Sequence, residues 1–259
     1  MKKFMKRFIS AILILTLVLS FAACGKAAPK EDPSAQPLDA NTEETSPTQE
    51  AEPVLPEPPA EPVTPPEPVS MDDALFIGDS RVTGLMEYSG LSADFFTFEG
   101  MSVYNIHDKP LSVPDVGKMT LTELLNNKSY GKIYLMLGIN ELGYDLNQTI
   151  SAYSELVDDI RQMQPDAVLF IMANLHVTES MSSSHSYITN SAINAFNQRI
   201  SQLANGKTIF YLDSNPEFDN ANGSLSDEYT SDGAHPYAKH YVQWGEWIAL
   251  QSAIVTKEG

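Results

Sequence analysis

Between residues 71 and 259, short apolar runs alternate with segments whose apolar residues recur every three or four positions. No other feature restricts the fold as much. The runs at 74–77, 95–98, 133–137, 168–172 and 208–212 have the length and composition of buried strands. Between and after them, Ile150, Tyr153, Leu156, Ile160 and Met163 fall on one helical stripe. Ile193, Phe196, Ile200 and Leu203 form a second stripe, and Tyr241, Trp244 and Ile248 a third. The stripes read as core faces. Such alternation predicts an α/β fold, a parallel sheet covered by helices on both sides. Ligands bind such sheets beyond the carboxyl ends of the strands. The residues just after each strand are therefore where chemistry is sought.

After the first strand comes Gly78-Asp79-Ser80-Arg81, with a helix restarting at about Arg81. Ser80 thus sits on a strand-to-helix turn, where backbone N–H groups are free and the helix dipole favours negative charge. A hydroxyl there can attack a carbonyl, and its own N–H can hold the oxyanion that forms. Asp and Ser are also favoured helix N-caps, so the tripeptide alone does not decide. After the second strand, Gly100 in Glu99-Gly100-Met101-Ser102 lets the backbone approach a ligand closely, or is an ordinary loop glycine. After the third, Asn140 in Gly138-Ile139-Asn140-Glu141 can donate to an oxyanion or cap a turn. Asn174 and His176 follow the fourth strand, where they would line a substrate pocket. After the fifth, a long loop leads to Asp232-Gly233-Ala234-His235-Pro236. That spacing allows Asp232 to accept the ring Nδ1–H of His235.

In this order, Gly78-Asp79-Ser80, Gly100, Gly138-Ile139-Asn140 and Asp232-Gly233-Ala234-His235 resemble the four signature blocks of the SGNH (GDSL-type) hydrolases. The resemblance spans essentially all of 71–259. It implies a three-layer flavodoxin-like fold, a central parallel sheet flanked by helices. It implies Ser80 as nucleophile, Asp232 and His235 as its triad partners, and an oxyanion hole from Ser80, Gly100 and Asn140. Two positions depart from the family pattern. Glu141 follows Asn140 where an aspartate is usual, and Arg81 follows the serine where a small or apolar residue is common. Arg81 would either meet an anionic part of the substrate or serve the structure. No Gly-x-Ser-x-Gly elbow surrounds Ser80, which argues against the α/β-hydrolase arrangement. His107, His176, His185 and His240 show no metal-ligand spacing, and neither a metal nor a cofactor is expected.

The amino-terminal part is of a different kind. Residues 1–7 are basic and 8–23 almost wholly apolar, the layout of a secretory signal, and the apolar part is short for a spanning helix. The lone cysteine, Cys24, follows Phe21-Ala22-Ala23, an arrangement that resembles a bacterial lipoprotein signal with Phe21 in place of the usual leucine. The resemblance implies cleavage after 23, lipidation of Cys24 and an extracytoplasmic domain held at the membrane. Residues 24–70 hold most of the 17 prolines, mixed with Glu, Ala, Thr and Ser. Such a segment reads as a disordered spacer able to reach roughly 100 Å. Much of the net charge of −18 is expected to arise there. The acidity argues against nucleic acid as a partner.

The function these features imply is an extracytoplasmic serine esterase acting on an acylated glycan, with acetyl as the acyl group. The loops 174–187 and 213–230, rich in Ser, Asn, Asp and Thr, suit sugar hydroxyls better than an acyl tunnel. The same triad would serve a lipase, a lysophospholipase or an O-acyltransferase. A catalytically inactive surface-binding lipoprotein fits less well, because every catalytic position is filled. A flavodoxin-like cofactor binder lacks its Gly-rich phosphate cradle.

Overall fold

The computed structural model describes residues 66–258. The expected signal at 1–23, Cys24 and the linker as far as residue 65 lie outside the described residues. Within them, the Val69 N–H donates to the Ala249 carbonyl at 3.1 Å.

Strand β1 (Ala74–Gly78) turns directly into helix α1 (Ser80–Tyr88), followed by β2 (Asp94–Thr97). An antiparallel hairpin, β3 (Leu111–Val113) and β4 (Gly117–Met119), precedes α2 (Leu121–Asn127) and β5 (Lys132–Met136). The chain continues through α3 (Leu146–Met163), β6 (Val168–Met172), α4 (Glu179–Ser184) and α5 (Asn190–Ser201). It ends with β7 (Ile209–Leu212), the short α6 (Asn215–Phe218) and α7 (Tyr241–Glu258). Five strands form one parallel sheet in the order β2-β1-β5-β6-β7. This is the doubly wound order expected. The sheet reverses direction of growth between β1 and β5, which is where such folds place their ligand crevice.

Both sheet faces are buried, so the strands read as continuous apolar runs. Alternate residues serve opposite cores. Leu75, Ile77, Ile133, Leu135, Leu169 and Ile171 face a cluster closed by α2, α3 and α5. On the other face, Phe95, Phe76, Tyr134, Phe170 and Phe210 stand in register across all five strands. Their rings stack at centroid separations from 4.4 to 5.9 Å. Val82 and Leu85 of α1 and Tyr241, Trp244 and Ile248 of α7 cover that ladder. The rigid sheet fixes the loops at its carboxyl edge.

Candidate active site

Asp79 caps α1: its Oδ1 accepts the Arg81 N–H at 3.0 Å. The helix therefore begins at Ser80, whose N–H precedes the first intrahelical bond. Thr97, at the end of β2, supports this corner. Its hydroxyl lies 2.8 Å from the Gly78 carbonyl and 2.9 Å from that of Asp79. Nothing in the sequence marked Thr97 as part of the site.

The structure brings Ser80, His235 and Asp232 together across 155 residues of chain. Ser80 Oγ lies 2.9 Å from His235 Nε2, and His235 Nδ1 lies 2.7 Å from Asp232 Oδ2. The other carboxylate oxygen, Oδ1, accepts from the Ala234 and His235 N–H groups at 2.9 Å each and from the Thr230 hydroxyl at 3.1 Å. Burial pushes the Asp232 carboxyl up, but these donors and the His235 ring outweigh it. Its pKa falls well below the ordinary carboxylate range. An ionised Asp232 with one oxygen anchored can hold the ring with Nδ1–H toward itself, leaving Nε2 to accept the serine proton.

Two further loops meet beside Ser80. Gly100 adopts φ of 75°, a left-handed conformation that favours glycine, and its N–H makes no hydrogen bond among the described residues. Asn140 donates one Nδ2 hydrogen to the Met101 carbonyl at 2.9 Å, which fixes the amide and leaves its second N–H available. Glu141 ties the same two loops. Its Oε1 accepts the Val103 N–H at 2.7 Å, and the side chain is only 2% exposed. Burial, opposed by that hydrogen bond and aided by the charge of Asp79, raises the Glu141 pKa to about 7. The departure from the family's aspartate is thus a staple between the loops that carry Gly100 and Asn140.

Asn174 and His176, expected to line a substrate pocket, are placed elsewhere, and of the two roles open to Arg81 it takes the structural one. Arg81 is 1% exposed, and its Nε donates to the Ala234 carbonyl at 3.2 Å. It braces the His235 loop from the helix that carries Ser80. Asn174 is also 1% exposed. It accepts the Ile139 N–H at 3.1 Å and donates to the Leu137 carbonyl at 2.9 Å, bracketing the corner before Asn140. His176 is buried between Asp219, 2.7 Å from Nδ1, and Asn194, 2.9 Å from Nε2. The loop after β6 enters the interior, and its backbone groups must then find partners. Asn197, Asn215 and Asn190 supply them through side-chain bonds to residues 174, 176 and 177.

A groove of about 430 Å³ opens at Ser80, lined by Thr83, Gly84, Glu87, Tyr88, Glu99, His235, Pro236 and Tyr241. The loops 174–187 and 213–230, expected to shape the substrate space, instead contribute to a second cleft of about 370 Å³. That cleft is lined on their side by Thr178, Ser180, Met181, Ser184, His185, Asp227 and Thr230, and it reaches Asp232.

A serine, an imidazole and a carboxylate in one hydrogen-bonded chain, on a doubly wound sheet with N–H donors at hand, define a serine-type ester hydrolase. The chain belongs to the GDSL-like lipase/acylhydrolase family, whose model matches residues 98–242. The match takes in Gly100, Asn140, Asp232 and His235, and begins downstream of Ser80. Solved structures support the fold. A Bacteroides fragilis protein provisionally named an acylhydrolase superposes with a TM-score of 0.53 at 15% identity, covering 74% of this chain and 91% of its own. A GDSL-like lipase from Bacteroides thetaiotaomicron gives 0.52 at 14% identity, covering 73% and 90%. A Streptococcus pneumoniae protein provisionally named a platelet activating factor gives 0.52 at 23% identity, covering 72% and 83%. No curated protein matches the sequence.

Proposed function

We propose that this esterase removes short acyl groups, acetyl foremost, from a glycan through an acyl-enzyme on Ser80. His235 Nε2 takes the hydroxyl proton as Oγ attacks the ester carbonyl. Asp232 holds the ring tautomer and stabilises the imidazolium. The Ser80 and Gly100 N–H groups and the Asn140 amide receive the oxyanion. The His235 proton then passes to the leaving alcohol, and water releases the acyl group by the same steps in reverse. We further propose that the enzyme works outside the cytoplasm, tethered through a lipid on Cys24, as the layout of residues 1–24 supports.

The observation that carries the glycan reading is the groove lining. It holds hydroxyls, carboxylates, an imidazole, two tyrosines and a proline, with no Leu, Ile, Val, Met or Phe. Each buried methylene of an apolar chain stabilises a complex by about 0.8 kcal/mol only where apolar space receives it. Flat tyrosine rings beside polar groups suit a sugar better. The test compares kcat/KM for p-nitrophenyl acetate, butyrate and octanoate, and measures acetate released from acetylated xylan, mannan and peptidoglycan. Acetate should be the preferred acyl group, with release from at least one glycan. A rate that climbs steadily to octanoate, with no acetate from any polymer, would reassign the enzyme to lipid esters.

A further inference from the structure

Ser80, Thr83, Gly84, Glu87 and Tyr88 recur at the spacing of one helix face, and all five line the groove. The floor of the groove is therefore α1 itself, running two turns from the candidate nucleophile to a carboxylate. A rise of 1.5 Å per residue puts the Glu87 backbone about 10 Å along the axis from that of Ser80. The Glu87 carboxylate meets the Tyr88 hydroxyl, whose pKa it raises. Glu99 lines the same groove directly before Gly100. Over the middle of the floor lies Tyr241. A Cβ at Gly84 would fall 2.2 Å from its Cζ, so glycine is required for this contact. The Tyr88 and Tyr241 rings approach to 5.9 Å between centroids.

The groove thus combines two carboxylates with two aromatic rings and has no lysine or arginine in its lining. Both glutamates are exposed, and among the described residues neither has a cationic side chain within ion-pair distance. The charge of the domain points the same way. Residues 71–259 hold 24 acidic against 10 basic residues, so the domain itself is strongly acidic, in addition to the linker.

We propose that the groove selects esters whose alcohol portion carries an ammonium group a few ångströms from the scissile oxygen. The inference rests on the esterase reading of Ser80 and sharpens its substrate. Within a glycan, the matching chemistry is an acylated amino sugar whose nitrogen is unsubstituted and protonated. The alcohol is placed here because His235 must reach the leaving oxygen to protonate it, and His235, Pro236 and Tyr241 line this groove. A cation there meets Glu87 and Glu99 by Coulomb attraction and the tyrosine faces by cation–π contact. An ester of a phosphorylated or uronic-acid polymer would meet repulsion in the same place.

Acetylcholine and 3,3-dimethylbutyl acetate test this directly, since they differ only in a quaternary nitrogen replacing a quaternary carbon. At low ionic strength, kcat/KM should favour the cation by about tenfold, the sum of exposed charge pairs and a cation–π contact of ordinary strength. Added sodium chloride should shrink that ratio. In the Glu87→Gln/Glu99→Gln double variant the ratio should fall to the roughly two- to fivefold that the tyrosine faces alone supply. A wild-type ratio near one, or a ratio unchanged in the double variant, would overturn the inference while leaving the esterase intact. Failure to hydrolyse either ester or p-nitrophenyl acetate would remove the esterase reading, and this inference with it.

Discussion

His235 and His176 each present Nδ1 to an aspartate Oδ2 at 2.7 Å, and each has an oxygen 2.9 Å from Nε2. Their surroundings differ in two ways. The His235–Asp232 side chains are 43% and 56% exposed, whereas those of His176 and Asp219 are 10% and 14% exposed. Also, the oxygen at His235 Nε2 is the Ser80 hydroxyl, which can donate, while His176 Nε2 meets the side-chain oxygen of Asn194. An imidazole between a carboxylate and an amide oxygen satisfies both partners only as the two-proton cation. Burial pulls the His176 pKa down, but Asp219 and Asn194 outweigh it and the pKa rises. One pair is built to move a proton at a solvent-accessible serine. The other, with both ring nitrogens engaged, pins the loop after β6. A His–Asp contact therefore does not by itself make a triad; what Nε2 meets decides.

Breaking each pair should separate the two roles, and this gives the largest effects. Ser80→Ala should lower turnover of p-nitrophenyl acetate by at least about a thousandfold with an unchanged melting temperature, and His235→Ala should match it. His176→Ala leaves the largely enclosed Asp219 without its hydrogen-bonding partner, a loss of about 2–3 kcal/mol. For a domain of this size, Tm should drop on the order of 10 °C, while turnover of the folded enzyme stays within about threefold. Turnover lost in His176→Ala with Tm intact, or kept in Ser80→Ala, would reverse the assignment.

The same contrast explains what was legible in the sequence. Asp232 and His235 are three residues apart, and a local spacing can be read directly. Asp219 lies 43 residues from His176, and no pattern in the chain signals that contact. His176 therefore read as a pocket residue, and Asn174 likewise, although both face the interior. The five sheet strands were legible to within a residue or two because they are buried on both faces and must be apolar throughout. The hairpin β3–β4 was not, since its second strand is largely exposed and carries no alternation. Helix α2 was missed although Thr120 and Glu123 form a capping box at its start, a signal present in the sequence. Glu87 and Tyr88 were also within reach, lying seven and eight residues after Ser80 on one helix face. The role of Arg81 was not, because its partner is a backbone carbonyl 153 residues away.

An intermediate effect should come from Asn140, whose amide is fixed by Met101 beside the reacting serine. Asn140→Ala should reduce kcat by roughly a hundredfold with little change in KM, because the lost donor acts mainly on the transition state. A rise in KM at constant kcat would instead place Asn140 among ground-state contacts.

The smallest effect concerns Glu141, and it is read in stability more than in turnover. Glu141→Gln keeps an oxygen for the Val103 N–H, so the loops bearing Gly100 and Asn140 stay joined and kcat should fall by less than about tenfold. The pH dependence should change visibly. With its folded pKa raised to about 7, Glu141 binds a proton more tightly in the native state than in the unfolded chain. Stability conferred by that proton is fully present below the ordinary glutamate value of about 4.3 and is lost as pH rises toward 7. Asp232, with its lowered pKa, contributes stability that is lost only as pH falls below the ordinary aspartate value of about 3.9, and His176, with its raised pKa, loses its contribution only above about 6.5. Urea midpoints between pH 5 and 6.5 therefore separate the Glu141 range from Asp232 and His176, while His240, whose pKa burial lowers, adds a slope of opposite sign common to both proteins. Wild type should become less stable across that interval. Glu141→Gln should show a flatter line, with a residual slope of the same sign from Asp79, whose carboxyl burial also pushes up. Parallel lines for the two proteins would mean that Glu141 is ionised throughout, and that its bond to Val103 is a charged one.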